Sequence, residues 1–182
     1  MDARRLNGLW MLPVAALTNS TFAADYLSTN EAQKILLPSA DRFELKSIEL
    51  TGEQIDKIKE LSGVRQRTKN PKIWQAYTKS EVLGWFFVDE VIGKHEFITF
   101  ATAISPDGKV LGIEVMSYRE THGSEVRKPE WREQFKGKKL DNPFKLDVDV
   151  SNISGATLSC RNLLDGVKRL LVLHKVLNLN GG

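Results

Sequence analysis

A run of small residues, Ser154-Gly155-Ala156-Thr157, precedes the longest regular segment of the chain, in which Leu163, Leu164, Val167, Leu170, Leu171, His174 and Leu177 recur at helical spacing. Such a turn lets the backbone approach a ligand closely. The free N–H groups of a helix start, together with the positive end of its dipole, favour an anion there. A phosphate is the ligand this chemistry suggests, with the Thr157 hydroxyl beside it. The same residues also suit an ordinary N-cap, so the pattern alone leaves both readings open.

The other reactive side chains are scattered. Cys160 falls on the apolar side of the same helix as Leu163, Leu164 and Val167, and reads as core packing. His174 shares that face. A thiol enzyme pairing Cys160 with His174 would need contact across about 21 Å of continuous helix, which excludes it. His95 has no partner at metal-ligand spacing, so no metal site is expected. A single cysteine excludes an internal disulfide. Lys136-Gly137-Lys138-Lys139 reads as a solvated patch with some capacity to steer an acidic partner.

The elements that must position these residues follow from local patterns. Ser28-Thr29-Asn30-Glu31 is a capping box ahead of Ala32, Ile35 and Leu36, and Pro38 stops the helix; Thr51-Gly52-Glu53-Gln54 repeats the device, with Gly63 as terminator. Ile73 to Lys79, Val82 to Ile92, Glu96 to Ile104 and Val110 to Tyr118 are rich in aromatic and β-branched residues, as strands are. Gly93-Lys94 reads as a type II′ hairpin turn and Pro106-Asp107-Gly108 as the next turn. The prediction is an antiparallel meander of about four strands. A short helix is expected from Pro129 through Phe135, and a further strand from Leu146 to Ile153. With the long C-terminal helix, the fold class is α+β in one domain.

Composition sets the outer bounds. Of 182 residues, 27% are charged and 41% hydrophobic, which excludes wholesale disorder and a multi-span membrane protein. The formal net charge of +3 is too small to point to nucleic acid, and no nucleic-acid partner is expected. At the N-terminus Arg4 and Arg5, the apolar run Leu9 to Leu17, and Thr21-Phe22-Ala23 form the three parts of a signal peptide. The apolar run falls short of the roughly 20 residues of a membrane span. Residues 1–23 are therefore expected to be an export signal cleaved after Ala23, residues 24–72 a helical region, and residues 73–182 the domain proper.

Ile153-Ser154-Gly155-Ala156-Thr157-Leu158-Ser159 resembles the S/T-G-A-T signature of the FMN-binding domain family, whose familiar members are subunits of the sodium-pumping NADH:quinone reductase and of the Rnf complex. Glu120-Thr121-His122-Gly123 is similar to that family's E-T-P-G stretch, which lies beside the flavin. Gln134 to Lys138 also fits, and the similarity covers roughly residues 73–177. The resemblance implies that Thr157 carries FMN through a phosphoester bond installed by a flavin transferase. It implies too that Ser154, Gly155 and Ala156 form the close-approach turn, and that Glu120, Thr121, His122 and Gly123 form a loop over the ring. Tyr118 and Trp131 are candidates to flank the isoalloxazine, whose flat apolar body needs cover; packing in the core is the alternative for each.

Two positions depart from the family pattern. Ser151 stands where Asp is usual, six residues before the acceptor, and His122 stands where Pro is common. The implied function is electron transfer between periplasmic or membrane redox partners by an exported flavoprotein, a carrier more than an enzyme with its own substrate. A noncovalent FMN binder and a flavin-free binding or assembly module of the same fold are the alternatives.

Overall fold

The computed structural model describes residues 26–179, so the expected signal peptide and its cleavage at Ala23 lie outside the described residues. Two N-terminal helices, α1 (Thr29–Leu36) and α2 (Gly52–Ser62), flank a short strand β1 (Arg42–Lys46). Strands β2 (Lys72–Thr78), β3 (Glu81–Ile92), β4 (Phe97–Ile104) and β5 (Val110–Ser117) follow. The chain then runs through a 3₁₀ turn at Ser124–Arg127, the short α3 (Pro129–Arg132) with a 3₁₀ extension to Phe135, and a long loop into α4 (Thr157–Val176).

The strands form one antiparallel sheet in sequential order, β1 to β5. This is the α+β architecture expected, with one strand more than the meander read from the sequence. β1 pairs Arg42 with Tyr77 through Lys46 with Ile73 at the sheet edge. Its five residues include three charges, and Leu45 is exposed, so it carries little apolar signal. A short, charged strand is what an open edge tolerates, because it discourages pairing with another chain. The N-terminal region thus contributes a strand to the sheet as well as its two helices.

Period-two alternation places the two faces of β3 in different cores. Trp85, Phe87 and Val91 join Ile98, Phe100, Ile113 and Val115 beneath α2 and α4, with Trp131 and Phe135 completing that side. Phe86 faces the opposite way, packing with Ala32 of α1, Ala101, Ala103 and Met116, and it makes edge-on contacts with Phe43 and Trp74. Helices therefore cover both faces of the sheet.

Both predicted capping boxes are formed: Ser28 accepts from the Glu31 N–H and Thr51 from the Gln54 N–H, with the Glu31 and Gln54 side chains accepting in return. Arg169 of α4 is buried and donates to Asp89 Oδ2 of β3 at 2.6 Å and to the Arg65 carbonyl at 3.1 Å. That ion pair ties the middle of α4 to the sheet and to the segment after α2.

Two local expectations are corrected. Leu146 to Ile153 forms no strand. The segment curls, with Asp147 at φ +62° and donating its N–H to the Val150 carbonyl, and only an isolated bridge joins Leu146 to Val150. Val148 points to solvent, and Asp149 is drawn into an ion pair with Lys138 at 3.4 Å. The apolar/acidic alternation imitates a strand, but it serves a turn. The β3–β4 connection also differs from the predicted type II′ turn. Gly93 donates its N–H to the Glu96 carbonyl, so the reversal centres on Lys94 and His95, and Gly93 is not among the described positive-φ glycines.

Candidate functional site

The first turn of α4 differs from those of α1 and α2. Its N-cap is Ala156, which has no side chain able to accept from the helix, and no acidic residue occupies the first turn. The N–H groups of Thr157, Leu158 and Ser159 point out of the helix end without a side-chain cap. Ser154 and Gly155 form the exposed turn leading in, with Gly155 at φ +79°. Thr157 is exposed, so its hydroxyl stands free at the positive end of a 20-residue helix.

The loop after β5 packs directly onto this turn. Gly123 adopts φ +85°, and a Cβ built there would lie 2.1 Å from the Ala156 Cβ. Only glycine leaves room for Ala156 in that conformation. Tyr118 fastens the loop from below: its Oη donates to the His122 carbonyl and lies 3.4 Å from Ser159 Oγ. Burial pushes the Tyr118 phenol above its ordinary value, so it stays a neutral donor.

Glu120 fastens the other side. Its Oε1 accepts from the His95 N–H at 2.6 Å and the Glu96 N–H at 3.0 Å, at the tip of the β3–β4 hairpin. Partial burial pushes the Glu120 carboxyl up, but the Glu96, His95 and Lys94 backbone bonds together outweigh it and hold the group below the usual carboxylate range. The close approach also explains Gly93, where an added Cβ would meet Glu120 Oε1 at 2.3 Å.

Between these three segments lies a cleft of about 440 Å³ lined by Lys94, His95, Glu120, Thr121, His122 and the residues from Gly155 to Ser159. That volume falls in the range of small-molecule and cofactor sites. A helix start that offers N–H groups, a free hydroxyl and a floor of small residues suits a phosphate with an attached ring system.

Residues 93–172 match the FMN-binding domain family. Over this stretch the chain is similar to FMN-binding domains. The matched stretch begins at the hairpin tip and ends within α4, so it contains every residue that lines the cleft. The G subunit of the proton-translocating ferredoxin:NAD(+) oxidoreductase complex of Clostridium ljungdahlii is 25% identical over 187 residues, covering 97% of this chain and 88% of that protein. The G subunit of the ion-translocating oxidoreductase complex of Buchnera aphidicola subsp. Baizongia pistaciae is 27% identical over 124 residues, covering 60% of this chain and 56% of that protein. Among solved structures, NqrC of Shewanella oneidensis shares the fold with a TM-score of 0.52 at 16% identity, covering 82% of this chain and 77% of that one.

Within the matched stretch the predicted site residues divide. Glu120, Thr121, His122, Gly155, Ala156 and Thr157 line the cleft. Gly123 lies beneath it against Ala156, and Ser154 is exposed in the adjoining turn. Tyr118 and Trp131 are placed in the core rather than on the cleft wall. Trp131 stacks edge-on with Phe135 at 5.1 Å and donates its Nε1–H to the Ser151 carbonyl at 2.8 Å. Ser151, in place of the usual Asp, donates both its N–H and its Oγ–H to Gln134 Oε1.

Lys94, His95, Leu158 and Ser159 join the site only in the folded structure. Leu158 and Ser159 sit inside the quoted signature, whereas nothing in the spacing of Lys94 and His95 marks them; the hairpin register brings them in. Cys160 is buried, and burial pushes its thiol above the usual value, so it packs rather than reacts. The lysine cluster is engaged structurally: Lys138 pairs with Asp149 and Lys139 with Asp107 at 2.9 Å, which leaves little of it as a free patch.

Proposed function

We propose that this protein is an exported electron carrier that holds FMN through a phosphoester to Thr157 Oγ1. A flavin transferase installs the cofactor, and the protein exchanges electrons with redox proteins of the membrane or the periplasm. The observation that carries the reading is the meeting of the two motifs, Glu120 to Gly123 and Ser154 to Thr157, around one cleft at an uncapped helix start.

The residues present fit the group. The first-turn N–H groups of α4 would hold the phosphate, and Ser154, Gly155 and Ala156 would form the small-residue turn beside it. Thr157 would be the anchoring hydroxyl, and the loop from Glu120 to His122 would bound the ring within the cleft that Leu158 also lines. When bound, the isoalloxazine supplies the electron-transfer chemistry, and the protein supplies orientation, shielding and electrostatics. A covalent tether suits an exported protein, because the cofactor is retained where no flavin pool replenishes it. The relatives named above are subunits of redox complexes, which supports a redox partner at the membrane.

The test is the intact mass of the full chain after co-expression with a flavin transferase. The native protein is expected to carry one flavin adduct, fluorescent on a denaturing gel, and Thr157→Ala to carry none. An unchanged adduct on Thr157→Ala moves the anchor elsewhere. The same spectrum reports export, through loss of residues 1–23. Noncovalent FMN binding is the second reading, favoured by Ser151, which places a hydroxyl bonded to Gln134 where the family has a carboxylate. Colour that is lost on denaturation identifies it.

A further inference from the structure

Two histidines line the Thr157 cleft from different segments, His95 at the hairpin tip and His122 in the loop after β5. Each is pinned by its backbone. The His95 N–H donates to Glu120 Oε1, and the His122 carbonyl accepts from Tyr118 Oη. Both residues are exposed, and neither imidazole makes a hydrogen bond among the described residues. Fixed main chain with uncommitted rings is an arrangement in which the imidazoles remain available to protons.

The remaining charge around them is sparse. Lys94 on the hairpin and Glu120 on the loop are the other ionisable groups lining the cleft, while Gly155 to Ser159 contribute none. Glu96 follows His95 at the hairpin tip. Glu120 is committed to the hairpin N–H groups, so its charge is already engaged by the backbone. Histidine is the side-chain type suited to exchanging protons near neutrality, and two of them line this cleft.

We propose that His95 and His122 are charge-compensating residues for the flavin, taking up a proton when the ring is reduced and thereby raising its potential as pH falls. The proposal rests on FMN occupying this cleft. Two electrons from a redox partner enter the isoalloxazine, and one proton from water goes to the ring. The second proton goes to an imidazole, leaving a reduced ring of single negative charge beside an imidazolium. Electrons and protons balance, with water as the proton source. Linkage makes the effect reciprocal: if reduction raises the proton affinity of an imidazole, protonation of that imidazole favours reduction by the same factor.

The experiment uses the FMN-loaded full chain, titrated with dithionite and followed by flavin absorbance from about pH 5.5 to 8.5, a range spanning ordinary histidine titration. The native protein, His95→Gln, His122→Gln and the double variant are compared. Each proton taken up with two electrons adds about 30 mV per pH unit to the slope of potential against pH. The native slope is expected to exceed that of the double variant by up to this amount through the histidine range. His122→Lys, whose charge is fixed, is expected to raise the potential while removing its own pH-dependent part.

A second measurement does not use electron transfer. The imidazole NMR titrations of the loaded protein should move upward on reduction, on the order of tenfold in proton affinity, as expected for a charge a few ångströms away in a partly screened site. Equal slopes in the native protein and the double variant, with imidazole titrations unmoved by reduction, overturn the proposal. A chain that retains no flavin overturns the assignment of the cleft, and that failure appears in the absorbance spectrum before any potential is measured.

Discussion

Gly123 and Ala156 are in contact so close that no side chain fits between them: a Cβ on Gly123 would fall 2.1 Å from the Ala156 Cβ and 2.7 Å from Tyr118 Oη. The two segments that line the cleft are held in register by this pair. Gly123→Ala combines the cost of a left-handed non-glycine residue with overpacking, about 2–4 kcal/mol in all. Thermal melting is expected to show that loss, and adding Ala156→Gly to recover only the packing part. A melting temperature unchanged by Gly123→Ala would mean that the loop moves freely from the turn.

Glu120 is expected to stabilise the β3–β4 hairpin more than the rest of the molecule. Glu120→Ala removes the acceptor for the His95 and Glu96 N–H groups, at about 1–2 kcal/mol for a charged acceptor partly open to solvent. Because the folded carboxyl titrates below its unfolded value, its contribution is present above the unfolded value and is lost as pH falls through the folded one. Hydrogen exchange should quicken at the His95 and Glu96 amides in the alanine variant, while Glu120→Gln, which keeps an acceptor, is expected to lie between it and the native protein.

His174 supplies the opposite end of the domain with a pH dependence of its own. It is buried near the end of α4, with Nε2 lacking a hydrogen-bond partner among the described residues, and burial pushes its titration below the usual value. The unfolded chain therefore binds this proton more readily. Stability from this residue is complete above the ordinary histidine value of about 6.5 and declines as pH falls towards the lower folded value. Denaturant titrations at about pH 7.5 and 5.5, on either side of that value, should differ more for the native protein than for His174→Leu.

The Asp89–Arg169 pair predicts an asymmetric pair of mutants. Asp89→Ala leaves a buried guanidinium without its carboxylate, and should cost about 3–5 kcal/mol. Arg169→Met removes the buried charge itself and fills the space with a flexible apolar chain, so its cost is expected to be smaller. Urea denaturation of both variants decides the ordering, and equal losses would point to packing rather than charge.

Where a segment's structure is determined by its own residues, the sequence is informative. Both capping boxes, the helix after Thr157, the four long strands and the two cleft motifs are features of this kind. β1 escapes such a reading because an edge strand of five residues gains its conformation from pairing with β2 rather than from apolar alternation. The Leu146–Ile153 segment misleads because Asp147 and Asp149 are held by the Asn152 N–H and by Lys138, contacts that periodicity does not encode. The hairpin tip misleads for a related reason: Gly93 resembles a turn glycine, but the close approach of Glu120, 27 positions later, accounts for it. Tyr118 and Trp131 suggest themselves as ring neighbours because both are aromatic and near the motifs. Their polar atoms instead hold the His122 and Ser151 carbonyls.

The Gly123–Ala156 contact also bears on the order of maturation. The segments it joins lie 33 positions apart and meet only through the completed sheet and α4, so the cleft does not exist in a nascent or unfolded chain. If a transferase loads Thr157 as proposed, one that recognises the cleft would act on a finished domain, and one that recognises only the exposed turn before Thr157 would have no need to wait. Under the first regime, cofactor loading would serve as a quality check, because misfolded copies would leave the assembly line empty.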